Sequence, residues 1–138
     1  MKRRALMLAV LPLPLLAQDL VPGLQQTIAT LTQGAVVNEG RVRIEVAELV
    51  ENGNAVPVRV AVSGEGIQAL WLLNELNPQR EVLHCRFGAA ARPVVSTRVR
   101  LSATQQLVAL AVDAQGQWWQ ARQRVIVTLA ACLEGDNT

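Results

Sequence analysis

Tyrosine is missing from this chain of 138 residues, and phenylalanine and histidine occur once each. Three tryptophans are the remaining aromatics, so the core has to be built from Val, Leu, Ile and Ala. Charged residues make up 17% of the chain against 51% hydrophobic ones, which excludes the composition of a disordered protein. The single histidine, His84, leaves little room for a histidine-based centre. It sits next to Cys85, and on a strand neighbouring side chains point to opposite faces, so the two cannot readily share a metal. No third soft ligand lies nearby. There is no G-x-S-x-G, G-x-G-x-x-G or Walker loop, and Gly64-Glu65-Gly66 reads as a turn. The sequence contains no nucleophile-and-base set that would make it an enzyme, and no cofactor motif.

The valines recur from Val36 onward at alternating positions, which points to strands. Val42, Ile44 and Val46 alternate with polar residues, as do Val56, Val58, Val60 and Val62. Further runs are IQALWLL at 67–73, VLHCRF at 82–87, VVSTRVRL at 94–101, LVALAV at 107–112 and QWWQARQRVIVTL at 117–129. Asn52-Gly53, Asn77-Pro78 and Asp113-Ala-Gln-Gly116 are turn signals between them. About seven short strands at this spacing predict an antiparallel β-sandwich. A short helix precedes them: Pro22 suits a first turn, Leu24, Ile28 and Leu31 form one apolar stripe, and Gly34 suits the stop. It lacks the basic face of a membrane-surface helix and is expected to lie outside or at one end of the sandwich.

The first 17 residues read as an export signal: Lys2, Arg3 and Arg4, then LMLAVLPLPLL, then Ala17 as a small residue for cleavage. Arg3-Arg4 is compatible with a twin-arginine signal, and a general secretory signal fits as well. The organisation expected is thus 1–17 signal peptide, 18–34 helix, 35–129 sandwich and 130–138 tail. The signal holds three of the 13 basic residues, so the remainder carries 10 against 11 acidic ones. A near-neutral domain offers nothing to nucleic acid or to an anionic membrane. Export places the chain where disulfides persist, and Cys85 and Cys132 are its only cysteines.

Trp118 and Trp119 are consecutive, so one is expected in the core and the other on the outer face, where it could anchor a partner. Cys85 shares a predicted core-facing side with Leu83 and Phe87, which suits a small buried hydrophobe. Cys132 differs: it stands three residues beyond Leu129, where the strand pattern stops. Three extended residues reach roughly 10 Å, enough to bring a thiol into another protein's cleft while the domain stays outside. Glu134 and Asp136 disfavour a thiolate there, so activation has to come from the partner.

VENGNAVPVRVAV at 50–62, NPQREVLHCRFG at 77–88, the segment from Val94 to Leu129 and the cysteine just after it resemble the SoxY family. SoxY is the sulfur-carrier subunit of the periplasmic thiosulfate-oxidation (Sox) system. The resemblance implies an immunoglobulin-like sandwich, exported to the periplasm, that pairs with a second small β-sandwich protein, SoxZ. It also implies that Cys132 carries sulfur intermediates covalently, while haem and metal enzymes of the pathway (a cytochrome and a hydrolase) load, oxidise and hydrolyse the bound group. The carrier itself catalyses nothing. The family typically ends in Gly-Gly-Cys-Gly-Gly, whereas the arm here has Ala130 and Ala131 before the cysteine and Leu133 and Glu134 after it. Alanines keep the arm slim but stiffer than glycines.

Two other readings use the same residues. One is a structural or binding sandwich closed by a Cys85–Cys132 disulfide, with no carrier role. The other is a homodimer linked through Cys132, or a subunit that only binds partners.

Overall fold

A computed structural model describes residues 19–129. Helix α1 spans Pro22–Thr32, and nine strands follow: β1 Val37–Glu39, β2 Val42–Glu45, β3 Leu49–Asn52, β4 Val56–Val62, β5 Ile67–Asn74, β6 Glu81–Arg86, β7 Val94–Val99, β8 Gln105–Asp113 and β9 Trp118–Leu129. They form two sheets. The larger has the order β1-β9-β8-β5-β6, with β3 also on β9; the smaller is β2-β4-β7.

The core lies between the sheets. Val42, Val56, Val58, Val60 and Val62 of the smaller sheet meet Leu70, Leu72, Leu107, Ala109, Ala111 and Val125 of the larger. Strand β4 follows the alternation its sequence predicts, valines buried and Pro57 and Arg59 exposed. Pro57 lies past the last residue that β4 pairs with β2, so β4 has one neighbour there and a missing N–H is tolerated. Strand β8 is buried on both faces, because α1 covers its other side. That explains why LVALAV reads as an unbroken apolar run rather than an alternating one. Leu20 and Leu24 of the N-terminal segment pack on Leu73, Val108 and Leu110, with Ile28 and Leu31 beside them. Burying a side chain such as Leu24 is worth about 2 kcal/mol, and a helix this short needs such packing to persist. Its end is a left-handed turn at Gln33 and Gly34, where the Gly34 N–H donates to the Ala29 carbonyl.

Two expectations need correcting. There are nine strands among the described residues rather than seven, and the sheets are not wholly antiparallel. Strands β1 and β3 both run parallel to β9, at Val37↔Trp118 and Leu49↔Ile126. The reason is a single edge stretch that runs beside β9, swings to the other sheet as β2, and returns. Asn52-Gly53 is a turn, as expected, but it joins strands of different sheets rather than closing a hairpin. The turn at Ala114–Gly116 does join a true antiparallel hairpin, β8–β9.

The swing to β2 is locked by Arg41, which has a left-handed φ of 61° that a non-glycine residue rarely adopts. Its guanidinium donates to the Ser63 and Glu65 carbonyls at 2.9 Å each and pairs with Asp113 at 3.2 Å. It also lies 5.2 Å over the Trp119 ring. Burial pushes the Asp113 carboxyl up. Hydrogen bonds from the Gln117 N–H, the Trp119 indole and the Gln115 N–H, with the Arg41 charge, outweigh it and hold the carboxyl below its ordinary 3.8.

Candidate functional site at the root of the cysteine segment

Cys132, Ala130, Ala131 and Leu133 lie outside the described residues, as do the signal peptide and the remaining tail. What the structure does give is the place and rigidity of their attachment. Strand β9 pairs with β8 only as far as Gln105↔Val125, and β3 takes over on its other edge through Asn52↔Leu129. Where the β8 ladder stops, a side chain replaces it: the Val127 N–H donates to the Thr104 hydroxyl at 2.9 Å. The chain is therefore held up to Leu129, three residues before Cys132.

The loops around this root are tied mostly by neutral side chains. Gln105, 1% exposed, accepts from the Glu75 and Leu76 N–H groups at 3.2 and 3.0 Å. Its amide donates to Asn77 Oδ1 and to the Ala103 carbonyl. Asn77 Oδ1 also accepts from the Ser102 N–H and hydroxyl, so one amide oxygen gathers three donors. Asn74 caps the same turn, accepting from the Asn77 N–H and donating to the Gln79 carbonyl. The buried Glu75 carboxylate accepts from the Gln106 N–H at 2.8 Å, and Arg80 donates to the Glu75 carbonyl. Every buried side-chain polar atom among the described residues finds a partner, as a rigid polar cluster requires. Sequence reasoning marked Asn77-Pro78 only as a turn. Most partners of Asn77 and Gln105 are 23 to 30 residues away, and nothing local announces them.

The other singled-out residues lie at the opposite end or on the outer face. Cys85 is half-buried on β6, with Leu83 on the core side as expected. His84 is exposed on the other face, but it is stacked on Trp71, ring centroids 4.4 Å apart and planes 11° from parallel. Trp118 leans against Trp71 at 5.2 Å, so the outward tryptophan lies over its own sheet, half-buried. Trp119 is the inward one, packed on the core and under Arg41.

The register also bears on the disulfide. Cys85 pairs with Leu70, Leu70 with Ala111, and Ala111 with Trp119. Cys85 is thus level with Trp119, three strands across, while β9 runs ten more residues to Leu129. Roughly 3.3 Å per residue and 4.8 Å per strand put Cys85 and Leu129 on the order of 30 Å apart. Three more residues reach about 10 Å, and a bridge needs Cα atoms within about 7 Å. That spacing disfavours a Cys85–Cys132 bridge within one chain, whose second cysteine lies outside the described residues. Among the described residues, no three or more His, Cys, Asp and Glu side chains gather as metal ligands.

The profile of the family described as "Sulfur oxidation protein SoxY" matches residues 28–132, most of the chain, and the match ends on the cysteine itself. This chain belongs to the SoxY family. The SoxY sulfur carrier protein of Chlorobium limicola f thiosulfatophilum is similar in structure, with a TM-score of 0.68 and 30% identity over 77% of this chain and 96% of that one. SoxY membership and this neighbour support a sulfur-carrier role, that of a carrier rather than a catalyst. The superoxide reductase (neelaredoxin) of Ignicoccus hospitalis shares the fold at TM-score 0.54 and 22% identity, over 64% of this chain and 80% of that one. A putative superoxide reductase from Thermotoga maritima does so at TM-score 0.57 and 20% identity, over 66% and 93%. At these identities the likeness extends to the fold alone. No relative among curated proteins matches.

Proposed function

We propose that this chain is an exported, periplasmic carrier that holds sulfur intermediates of thiosulfate oxidation covalently on Cys132, in a heterodimer with a SoxZ-like β-sandwich partner. The observation that carries the reading is one of placement. The family match runs through Cys132, and Leu129, the last of the described residues, is still paired with Asn52. A thiol three residues past a rigid root can reach roughly 10 Å into a partner, while the sandwich is too wide to follow it.

The chemistry asks little of the carrier. Loading thiosulfate forms an S–S bond between Cys132 Sγ and the outer sulfur of thiosulfate, releases the thiol proton, and passes two electrons to an oxidant. In this reading the oxidant is a haem cytochrome of the pathway, and a hydrolase later works on the bound group. Because Glu134 and Asp136 disfavour the thiolate, the loading enzyme supplies the deprotonation. Ala130 and Ala131 keep the arm narrow, and Leu133 sets how wide the enzyme's channel must be.

The test is to incubate the reduced mature protein with thiosulfate and the pathway enzymes and weigh it intact. A mass gain located on Cys132 and missing from Cys132→Ser is expected. An unchanged mass rejects the carrier reading. A homodimer linked through Cys132 would show as a doubled mass that collapses on reduction.

A further inference from the structure

We propose that the outer face of β3 and the last third of β9, centred on Leu49 and Ile126, is the docking surface for the enzyme that receives Cys132. This rests on the carrier reading above. Helix α1 covers the larger sheet over Leu73, Val108 and Leu110, and its groove reaches Arg122. From there toward Leu129 the described structure places nothing on the sheet's outer side. Val50 and Val127 point into the core, so their register neighbours Leu49 and Ile126 point out side by side. They are 59% and 45% exposed. Arg124 and Thr128 continue this exposed face along β9, and Glu51 along β3.

What selects the occupant is reach. Ile126 stands three residues before Leu129 and Cys132 three residues after it. Each interval is at most roughly 10 Å of chain. A protein that closes around the thiol therefore has its rim within about 20 Å of the apolar pair. The matching rim has an apolar spot over Leu49 and Ile126, a carboxylate facing Arg124 and a cation facing Glu51. A patch this small suits a transient contact, because a carrier must also leave.

The test compares wild type with Leu49→Gln/Ile126→Thr in thiosulfate loading by the haem cytochrome, scored as the rate of mass gain on Cys132. Iodoacetamide alkylation of Cys132, binding of the SoxZ-like partner and sedimentation are measured in parallel. The expected result is about a tenfold slower loading with the other three unchanged. Arg124→Glu provides a second reading on an exposed side chain, expected to slow loading in the same direction, should the double variant unfold. Equal loading by wild type and variants overturns the docking surface and leaves the carrier standing. Loss of SoxZ-like binding, or of a wild-type homodimer, also overturns it by assigning the face to a subunit interface. A wild type that gains no mass removes both readings together.

Discussion

At the end of the sandwich where β9 finishes, Gln105 and Asn77 tie the β5–β6 and β7–β8 loops together with neutral amides. At the opposite end Arg41, Asp113 and Trp119 hold the strand switch with an ion pair and a cation over a ring. Both clusters are buried and both compensate for irregular backbone. They differ in what can disturb them. The amides carry no charge to lose, although the buried Glu75 carboxylate beside them accepts from the Gln106 N–H. The ion pair depends on a carboxylate staying charged. The amide bonds at the β9 end therefore differ in kind from the strand switch, whose ion pair weakens in acid.

The contrast is sharpest in Gln105→Leu. The substitution removes the partner of the Glu75 and Leu76 N–H groups, of the Ala103 carbonyl and of one Asn77 bond, at a side chain that is almost fully buried. The expected loss is about 3 kcal/mol, a fall in Tm of roughly 10 °C. Amide exchange at Glu75 and Leu76 should accelerate, with that of Gln115 and Gln117 rising only by the global loss. Equal acceleration at both ends would show that the clusters are not separate.

Asp113→Asn tests the other end and is expected to cost about 2 kcal/mol at neutral pH, since hydrogen bonds to a charged acceptor are worth more than neutral ones. The sign of its pH dependence is fixed. The carboxyl is held below its ordinary 3.8 in the fold, so its stabilisation is fully present above that value. It is lost as pH falls through the lower folded value. Urea midpoints should drop on acidification below about pH 4, and the drop should be shallower in Asp113→Asn. A drop of the same steepness in the variant would assign the acid sensitivity elsewhere.

The smallest effect is expected from Thr104→Val, which removes the hydroxyl that takes over from the β8 ladder at Val127. About 1 kcal/mol should be lost, with faster amide exchange at Val127 and little change at Val125, whose partner is backbone. If Val127 exchange does not move, β3 alone holds the root.

Much of this architecture could be read from the residues in order. The seven strands other than β1 and β3, the helix with its Leu24–Ile28–Leu31 stripe, and the β8–β9 turn all announce themselves locally, by period or by turn chemistry. Strands β1 and β3 do not. They are three and four residues long and lack the apolar alternation that Val42, Ile44 and Val46 give the equally short β2, and their parallel partner lies some 80 positions away. The same limit hid the amide cluster, since an isolated Gln or Asn looks the same whether it faces water or gathers four bonds. Cys132 was legible for the opposite reason, because it stands where every pattern has stopped. Its separation from Cys85 needed the register, which no single strand contains.

The way β9 changes neighbours has a mechanical side. Its first eight residues are laced to β8 on one edge, the first three of them also to β1 on the other, and its last four residues to β3. A tug on the segment beyond Leu129 runs along the strand axis, so these ladders bear load in shear, many rungs sharing the force at once. A sideways pull would instead open them one rung at a time. A protein that grips the cysteine and retreats in line with β9 can thus be resisted by the whole strand, while one that levers it sideways meets only the rungs to β3.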